Sequence, residues 1–251
     1  MYKSKSIGVV VPAYNEERFI TTVTNRVPIY VDKIYIIDDA SSDNTFEIAS
    51  RLAGTNPPKI HIIKHEKNCG VGKSIVDGYK QCLADNLDIA VVMAGDNQMD
   101  PEKLPDLLDP IIEGKADYTA GDRLTISGHT KGMTPWRQLG NRTLRFLTRI
   151  AAWNFDIADP QHGYAAITSA ALMRLDIEHI YPRYGYLNDL LVKMTVAQIR
   201  ILYIPMPAVY GDEKSKIQYW HYIPTVSWLL LKAFLWRIKT QSLRLFHQKQ
   251  F

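Results

Sequence analysis

The sequence predicts an α/β protein on a mostly parallel mixed sheet flanked by helices, and three observations carry that expectation. Short apolar, β-branched runs recur at residues 7–11, 33–37, 59–64 and 89–92. Helical patterns of about ten to fifteen residues separate them, as right-handed βαβ crossovers require. Acidic or glycine-containing turns follow each run, so polar residues collect along the carboxyl edge, where open α/β sheets bind ligands.

The first run ends in Pro12, and Asn15 before Glu16 and Glu17 reads as the N-cap of the first helix, with acids in its first turn. The second run delivers Asp38 and Asp39 ahead of an apolar pattern at Phe46, Ile48, Ala49 and Leu52. After the third comes Asn68-Cys69-Gly70-Val71-Gly72-Lys73-Ser74 and a helix to about residue 83. The fourth run, IAVV, releases Asp96, Asn97 and Gln98 at its end, and Asp100, Pro101 and Glu102 open the next helix. Beyond it lie a short strand at 118–120, a long helix at 136–154 carrying Arg137, Arg142, Arg145 and Arg149, and a strand at 165–168. A small helix at 170–175, an amphipathic helix at 187–199 and a last strand at 201–204 complete the pattern.

A chain of 251 residues holds one large α/β domain or two small ones. Two cysteines, Cys69 and Cys82, make neither a metal cluster nor a CxxC redox pair, and they read as free thiols. The first apolar run, six residues ended by Pro12, is too short for a signal-peptide core.

The net charge of +4 is uneven. Residues 200–251 hold eight Lys or Arg against Asp212 and Glu213, a net of +6, which leaves −2 for the remainder. Basic residues interleaved with Trp, Leu and Phe favour an anionic membrane surface over nucleic acid. Residues 217–231 carry no charged side chain, but fifteen residues fall short of the roughly 20 a spanning helix needs. The expectation is a catalytic domain over 1–216 and a helical tail over 217–251 lying in the membrane interface. Packing on its own domain or on a second copy of the chain is the competing use of that tail.

GVGKS at 70–74 is not a phosphate loop, because position 67 is Lys where that motif needs Gly. A glycine-rich turn before a helix still suits a pyrophosphate, which makes Gly70, Gly72 and Lys73 candidate lining of a nucleotide pocket.

VVVPAYNEE at 9–17, IIDDASSDNT at 36–45, NCGVG at 68–72 and MAGDNQMDPEKL at 93–104 resemble, in that order, the signatures of family 2 inverting glycosyltransferases with the GT-A fold. Within that family the chain resembles the polyprenyl-phosphate and dolichyl-phosphate sugar transferases. The resemblance implies a nucleotide-diphosphate sugar donor, with Pro12, Ala13, Tyr14, Glu16 and Asp39 around base and ribose and Gly95 beside them. It puts Asp96 in the metal-binding Asp-x-Asp position, with Gln98 as a further ligand to Mg²⁺ or Mn²⁺. Ala94 replaces the first Asp of that triplet.

By the same resemblance Asp159 in DPQHGY stands near the acceptor, as base or as orienting group, and Asp189 in YGYLNDLL is the competing acid. Capping a turn and sitting in a helix's first turn are their structural alternatives. Arg123 matches an arginine near the diphosphate, with a plain ion pair as its alternative, and Lys214, Ser215 and Lys216 resemble a closing phosphate-gripping motif. The implied reaction moves one sugar to a polyprenyl phosphate at the cytoplasmic membrane face. A transferase acting on a lipid-linked or soluble glycan, and a catalytically silent nucleotide-sugar binding module, stand as alternatives.

Overall fold

The computed structural model describes residues 1–126, 128–130, 133–207 and 219–248. In chain order these form β1 (Ile7–Ala13), α1 (Ile20–Arg26), β2 (Lys33–Asp38), α2 (Thr45–Thr55), β3 (Ile60–Lys64), α3 (Val71–Ala84) and β4 (Ile89–Val92). There follow α4 (Leu104–Ile112), β5 (Tyr118–Asp122), α5 (Pro135–Ala152), β6 (Ala165–Thr168), α6 (Ser169–Met173), α7 (Tyr186–Val196), β7 (Ile201–Pro205) and α8 (Tyr219–Gln248).

The seven strands make one sheet in the order β3-β2-β1-β4-β6-β5-β7. All neighbours pair in parallel except β6, which runs antiparallel to both β4 and β5. Because side chains alternate along a strand, each strand feeds two cores. On β4, Ala90 and Val92 face a core completed by Ile75 and Tyr79 of α3, Leu190 of α7 and Leu230 of α8. Ile89 and Val91 face the opposite core, with Val23 of α1 and Leu107 and Leu108 of α4.

The first turn departs from the sequence reading. The strand runs on through Pro12 to Ala13, and α1 starts only at Ile20. Asn15 is not an N-cap. It takes a left-handed φ of 55°, and its Oδ1 accepts from the Ser42 backbone N–H at 2.8 Å. The loops after β1 and β2 are thereby tied together, with Asn15 N–H donating to Ser41 Oγ and Glu16 N–H to Thr45 Oγ1.

The C-terminal segment is one continuous helix through Pro224. Val226, Leu230 and Ala233 are buried on the body of the protein. Arg237 is buried beside them, and its Nε donates to the Ala151 carbonyl at the end of α5. Trp228, Leu231, Leu235 and Ile238 form a second stripe that is solvent-exposed. No helix among the described residues is long and apolar enough to cross a membrane.

Candidate active site

Four strand ends and three loops enclose a two-lobed cavity at the carboxyl edge of the sheet. One lobe, about 330 Å³, lies among Pro12 to Tyr14, Glu16, Asp39, Gly70, Gly95 and Asp96. The other, about 230 Å³, lies between β4, the loop 161–163 and the start of α7, with Asp96, Gln98 and Arg123 on its wall. Pro12, Val71, Ala94, Asp96 and Tyr184 border both, so Asp96 stands at the junction. Pro12, Ala13, Tyr14, Glu16, Asp39, Gly70, Gly95 and Asp96, which the sequence resemblance puts around a nucleotide sugar, line one lobe together.

Asp96 reaches the junction because the chain keeps following β1 after β4 ends: Met93 N–H donates to the Val10 carbonyl and Gly95 N–H to the Pro12 carbonyl. Asn97 turns with a left-handed φ of 61°, and Gln98 N–H donates to Asp96 Oδ1 at 3.1 Å. Burial, and then the carboxylates of Glu16 and Asp96, push the Tyr184 hydroxyl pKa up. Carboxylate and amide oxygens are hard donors that suit Mg²⁺ or Mn²⁺ with phosphate and water completing the shell, whereas Ala94 adds none.

Asp39 is buried, and both its oxygens are bonded. Its Oδ1 accepts from Cys69 N–H at 2.8 Å and contacts His65 Nδ1 at 2.7 Å, while Oδ2 accepts from Gly70 N–H at 2.7 Å. His65 Nε2 continues to Asp77 at 3.1 Å. Asp39, His65 and Cys69 bring three donor atoms within 4.8 Å of one another, yet the carboxylate's bonds go to the protein and pin the loop 68–70. His65 was not singled out from the sequence. Its signal was position, since it directly follows β3 as Asp39 follows β2.

Lys73 does not reach the cavity. Its N–H donates to the Pro182 carbonyl and its ammonium pairs with Asp77, so the expected phosphate cradle is not formed by this residue. The two glycines have another cause. A Cβ at Gly70 would lie 2.6 Å from the Pro182 carbonyl oxygen, and one at Gly72 2.3 Å from that of Tyr181. The turn is bare because the loop entering α7 packs on it.

Asp159, with its side chain fully enclosed, is gripped by Arg123. Oδ2 accepts from Arg123 Nε at 2.7 Å and from its backbone N–H at 3.2 Å, and Oδ1 accepts from Nη2 at 3.1 Å and from Gln161 N–H at 3.1 Å. Burial alone would raise the carboxyl pKa, but the charge and hydrogen bonds of Arg123 outweigh it and hold Asp159 below the usual carboxylate range. Asp159 is therefore an ionised anchor that orients Arg123 at the cavity wall.

The structure does not bring Asp189 to this cavity. On another face of α7, its Oδ2 accepts from Tyr181 N–H at 2.8 Å and pairs with Lys193 at 2.7 Å. Its neighbour Asn188 lines the cavity instead. Lys214, Ser215 and Lys216 lie outside the described residues. Two cavity residues that the sequence did not point to are His162, from the loop after Asp159, and Tyr222 of α8.

A mostly parallel sheet with one reversed strand and a carboxylate at the junction of two lobes defines a GT-A glycosyltransferase architecture. The model for "Glycosyl transferase family 2" matches residues 8–176, and the chain belongs to that family and is a glycosyltransferase. It is 31% identical over 220 residues to a UDP-N-acetylglucosamine–dolichyl-phosphate N-acetylglucosaminyltransferase of Methanococcus voltae, covering 83% of this chain and 87% of that one. It is 30% identical to the polyprenol monophosphomannose synthase of Mycolicibacterium smegmatis, over 68% of this chain and 65% of the relative. Glucosyl-3-phosphoglycerate synthase from Mycobacterium tuberculosis, solved with Mn²⁺, UDP and glucosyl-3-phosphoglycerate, superposes with a TM-score of 0.66 at 19% identity, over 93% of this chain and 80% of that one. That likeness shows the shared fold.

Proposed function

We propose that the chain transfers a single sugar from a nucleotide-diphosphate sugar to a polyprenyl phosphate, inverting the anomeric carbon, at a membrane surface. The observation that carries this reading is the pair of lobes joined at Asp96, one lined by the loops after β1 and β2 and the other by Arg123 and the loop after Asp159. The named relatives act on dolichyl or polyprenol phosphates, which supports the lipid acceptor.

The nucleotide occupies the lobe of Pro12, Tyr14 and Asp39, and its diphosphate crosses the junction. Asp96 and Gln98 would hold a divalent cation there, which when bound would supply positive charge beside the leaving diphosphate. Arg123, oriented by Asp159, adds a fixed positive group on the acceptor side. A phosphate monoester is ionised near neutral pH, so the nucleophile needs placement more than a general base. This agrees with Asp159 being committed to Arg123. The exposed stripe of α8 rests on the membrane that carries the acceptor.

The test is incubation of purified protein with labelled UDP- and GDP-sugars, Mn²⁺ or Mg²⁺, and undecaprenyl or dolichyl phosphate. Label extracted into organic solvent supports the proposal. Transfer only to water-soluble acceptors overturns its lipid half, and absence of transfer beside sound nucleotide-sugar binding points to the silent-module alternative.

A further inference from the structure

We propose that His162 reads the donor's sugar, donating its Nε2–H to a sugar hydroxyl in the lobe between β4 and α7. This deepens the transferase reading and rests on it.

The lobe's character comes first. Asp96 and Arg123 put charge on one wall, Ile75, Val92 and Met99 make apolar wall, and neutral polar groups, Gln98, Gln161, His162 and Asn188, line the rest. Phosphates call for the charged wall, and the apolar surface with a few placed neutral donors and acceptors beside it matches a sugar.

Among the neutral groups from the 161–163 loop and α7, two are committed elsewhere. Thr148 O–H donates to the Leu144 carbonyl at 2.7 Å, and Asn188 Nδ2 donates to Thr148 Oγ1 at 2.7 Å. Gln161 Nε2 donates to Asn188 Oδ1 at 3.0 Å, and Tyr222 O–H donates to Gln161 Oε1 at 2.5 Å. The chain runs in one direction, so both amides are fixed with each end used.

His162 is outside that chain. Its Nδ1 accepts from Tyr164 N–H at 3.2 Å, the one hydrogen bond the ring makes among the described residues. That bond assigns the proton of the neutral ring to Nε2. Burial, and next the charge of Arg123, hold the imidazole pKa down to about 4 against the opposing pull of Asp159. The ring therefore stays a neutral donor at physiological pH. Gly121 on β5 makes room for it: a Cβ there would lie 2.7–2.9 Å from Cε1, Nε2 and Nδ1. Bare backbone and loop together hold the ring in one pose against the cavity.

The test compares His162→Gln, whose amide sits where Nε2–H sits, with His162→Asn, whose shorter amide does not reach. Calorimetric titration with Mn²⁺ uses UDP, UDP-glucose, UDP-N-acetylglucosamine, GDP and GDP-mannose as probes, on variants whose melting temperatures match the parent. The expected result is that His162→Asn binds the preferred sugar nucleotide about tenfold more weakly while the free nucleotide is unaffected, and that His162→Gln recovers most of the loss. Equal weakening of nucleotide and sugar nucleotide, or no weakening, or no recovery by Gln, overturns the proposal. Parent protein that binds the nucleotides but no sugar nucleotide overturns the transferase reading itself, and this proposal with it.

Discussion

Arg123 and Asp159 form a buried fork in which the guanidinium Nε and Nη2 bind one carboxylate and the Arg123 backbone N–H adds a third contact. The pair joins the end of β5 to the loop before β6, so it braces that wall of the cavity. Removing one partner strands a charge at low exposure, which in buried pairs costs about 3–5 kcal/mol. Asp159→Ala is therefore expected to lose stability in that range by urea titration. Arg123→Met with Asp159→Leu is expected to recover much of the stability and none of the turnover, since the cationic group at the wall is gone.

Asp96 contributes differently: one of its bonds is accepted from the local backbone N–H of Gln98. Asp96→Asn keeps the turn and removes the charge. Turnover is expected to fall by at least 10²-fold and the Mn²⁺-dependent part of UDP binding to disappear. Metal-free UDP affinity and the unfolding midpoint are expected to change little. Calorimetry with and without Mn²⁺ checks both halves.

The reach of the sequence differs between these residues for a physical reason. Asp39 was legible because it directly follows an apolar strand run, and Asp96 because it comes just past Met93–Gly95 beyond the run that ends at Val92, so local pattern put both at the sheet edge. Lys73 misled because Gly70 and Gly72 answer to the approach of residues 181–182, a contact invisible in local pattern. The reversal of β6 was illegible, since a four-residue strand carries no signature of direction. Asp189 and Asn188 are adjacent, and only the rotation of α7 decides that Asn188 faces the cavity. His162 and Tyr222 arrive from a loop and a distant helix, so their place depends on tertiary packing.

Acid should unfold the protein through named carboxylates. Asp88 is held below the usual range chiefly by the Ser6 backbone N–H, and Asp117 by the Arg200 side chain. Each binds a proton less readily folded than unfolded. Its contribution is thus complete above the unfolded value near about 3.9 and is lost as pH falls through the lower folded value. Stability from urea titrations is expected to be flat near neutrality and to drop with decreasing pH below about 4. Asp88→Asn is expected to make that drop shallower.

Two glycines in helices should respond with opposite signs to the same change. In α3, a Cβ at Gly78 would lie 2.2 Å from Val10 Cγ1, so the helix sits on β1 with no room for a methyl group. In α2, a Cβ at Gly54 meets nothing within 4 Å. Alanine gains about 0.5–1 kcal/mol over glycine inside a helix, but overpacking costs about 1–3 kcal/mol. Gly54→Ala is expected to raise the melting temperature and Gly78→Ala to lower it.

The outward face of α8 provides the test of membrane contact. Trp228, Leu231, Leu235 and Ile238 recur at helical spacing and stay exposed, while Val226, Leu230 and Ala233 already seat the helix on the body. Changing the outward set should therefore leave the fold intact. Lys232 and Lys239 stand beside this stripe in sequence and favour an anionic surface. Trp228→Ser with Leu235→Ser is expected to cut co-sedimentation with vesicles containing phosphatidylglycerol by about tenfold or more, because burial of each large apolar side chain supplies on the order of 1.5–3 kcal/mol. The unfolding midpoint should hold. High salt should weaken parent binding to the same vesicles through its electrostatic part alone, and a parent protein indifferent to vesicles at any salt would show that this stripe serves another surface.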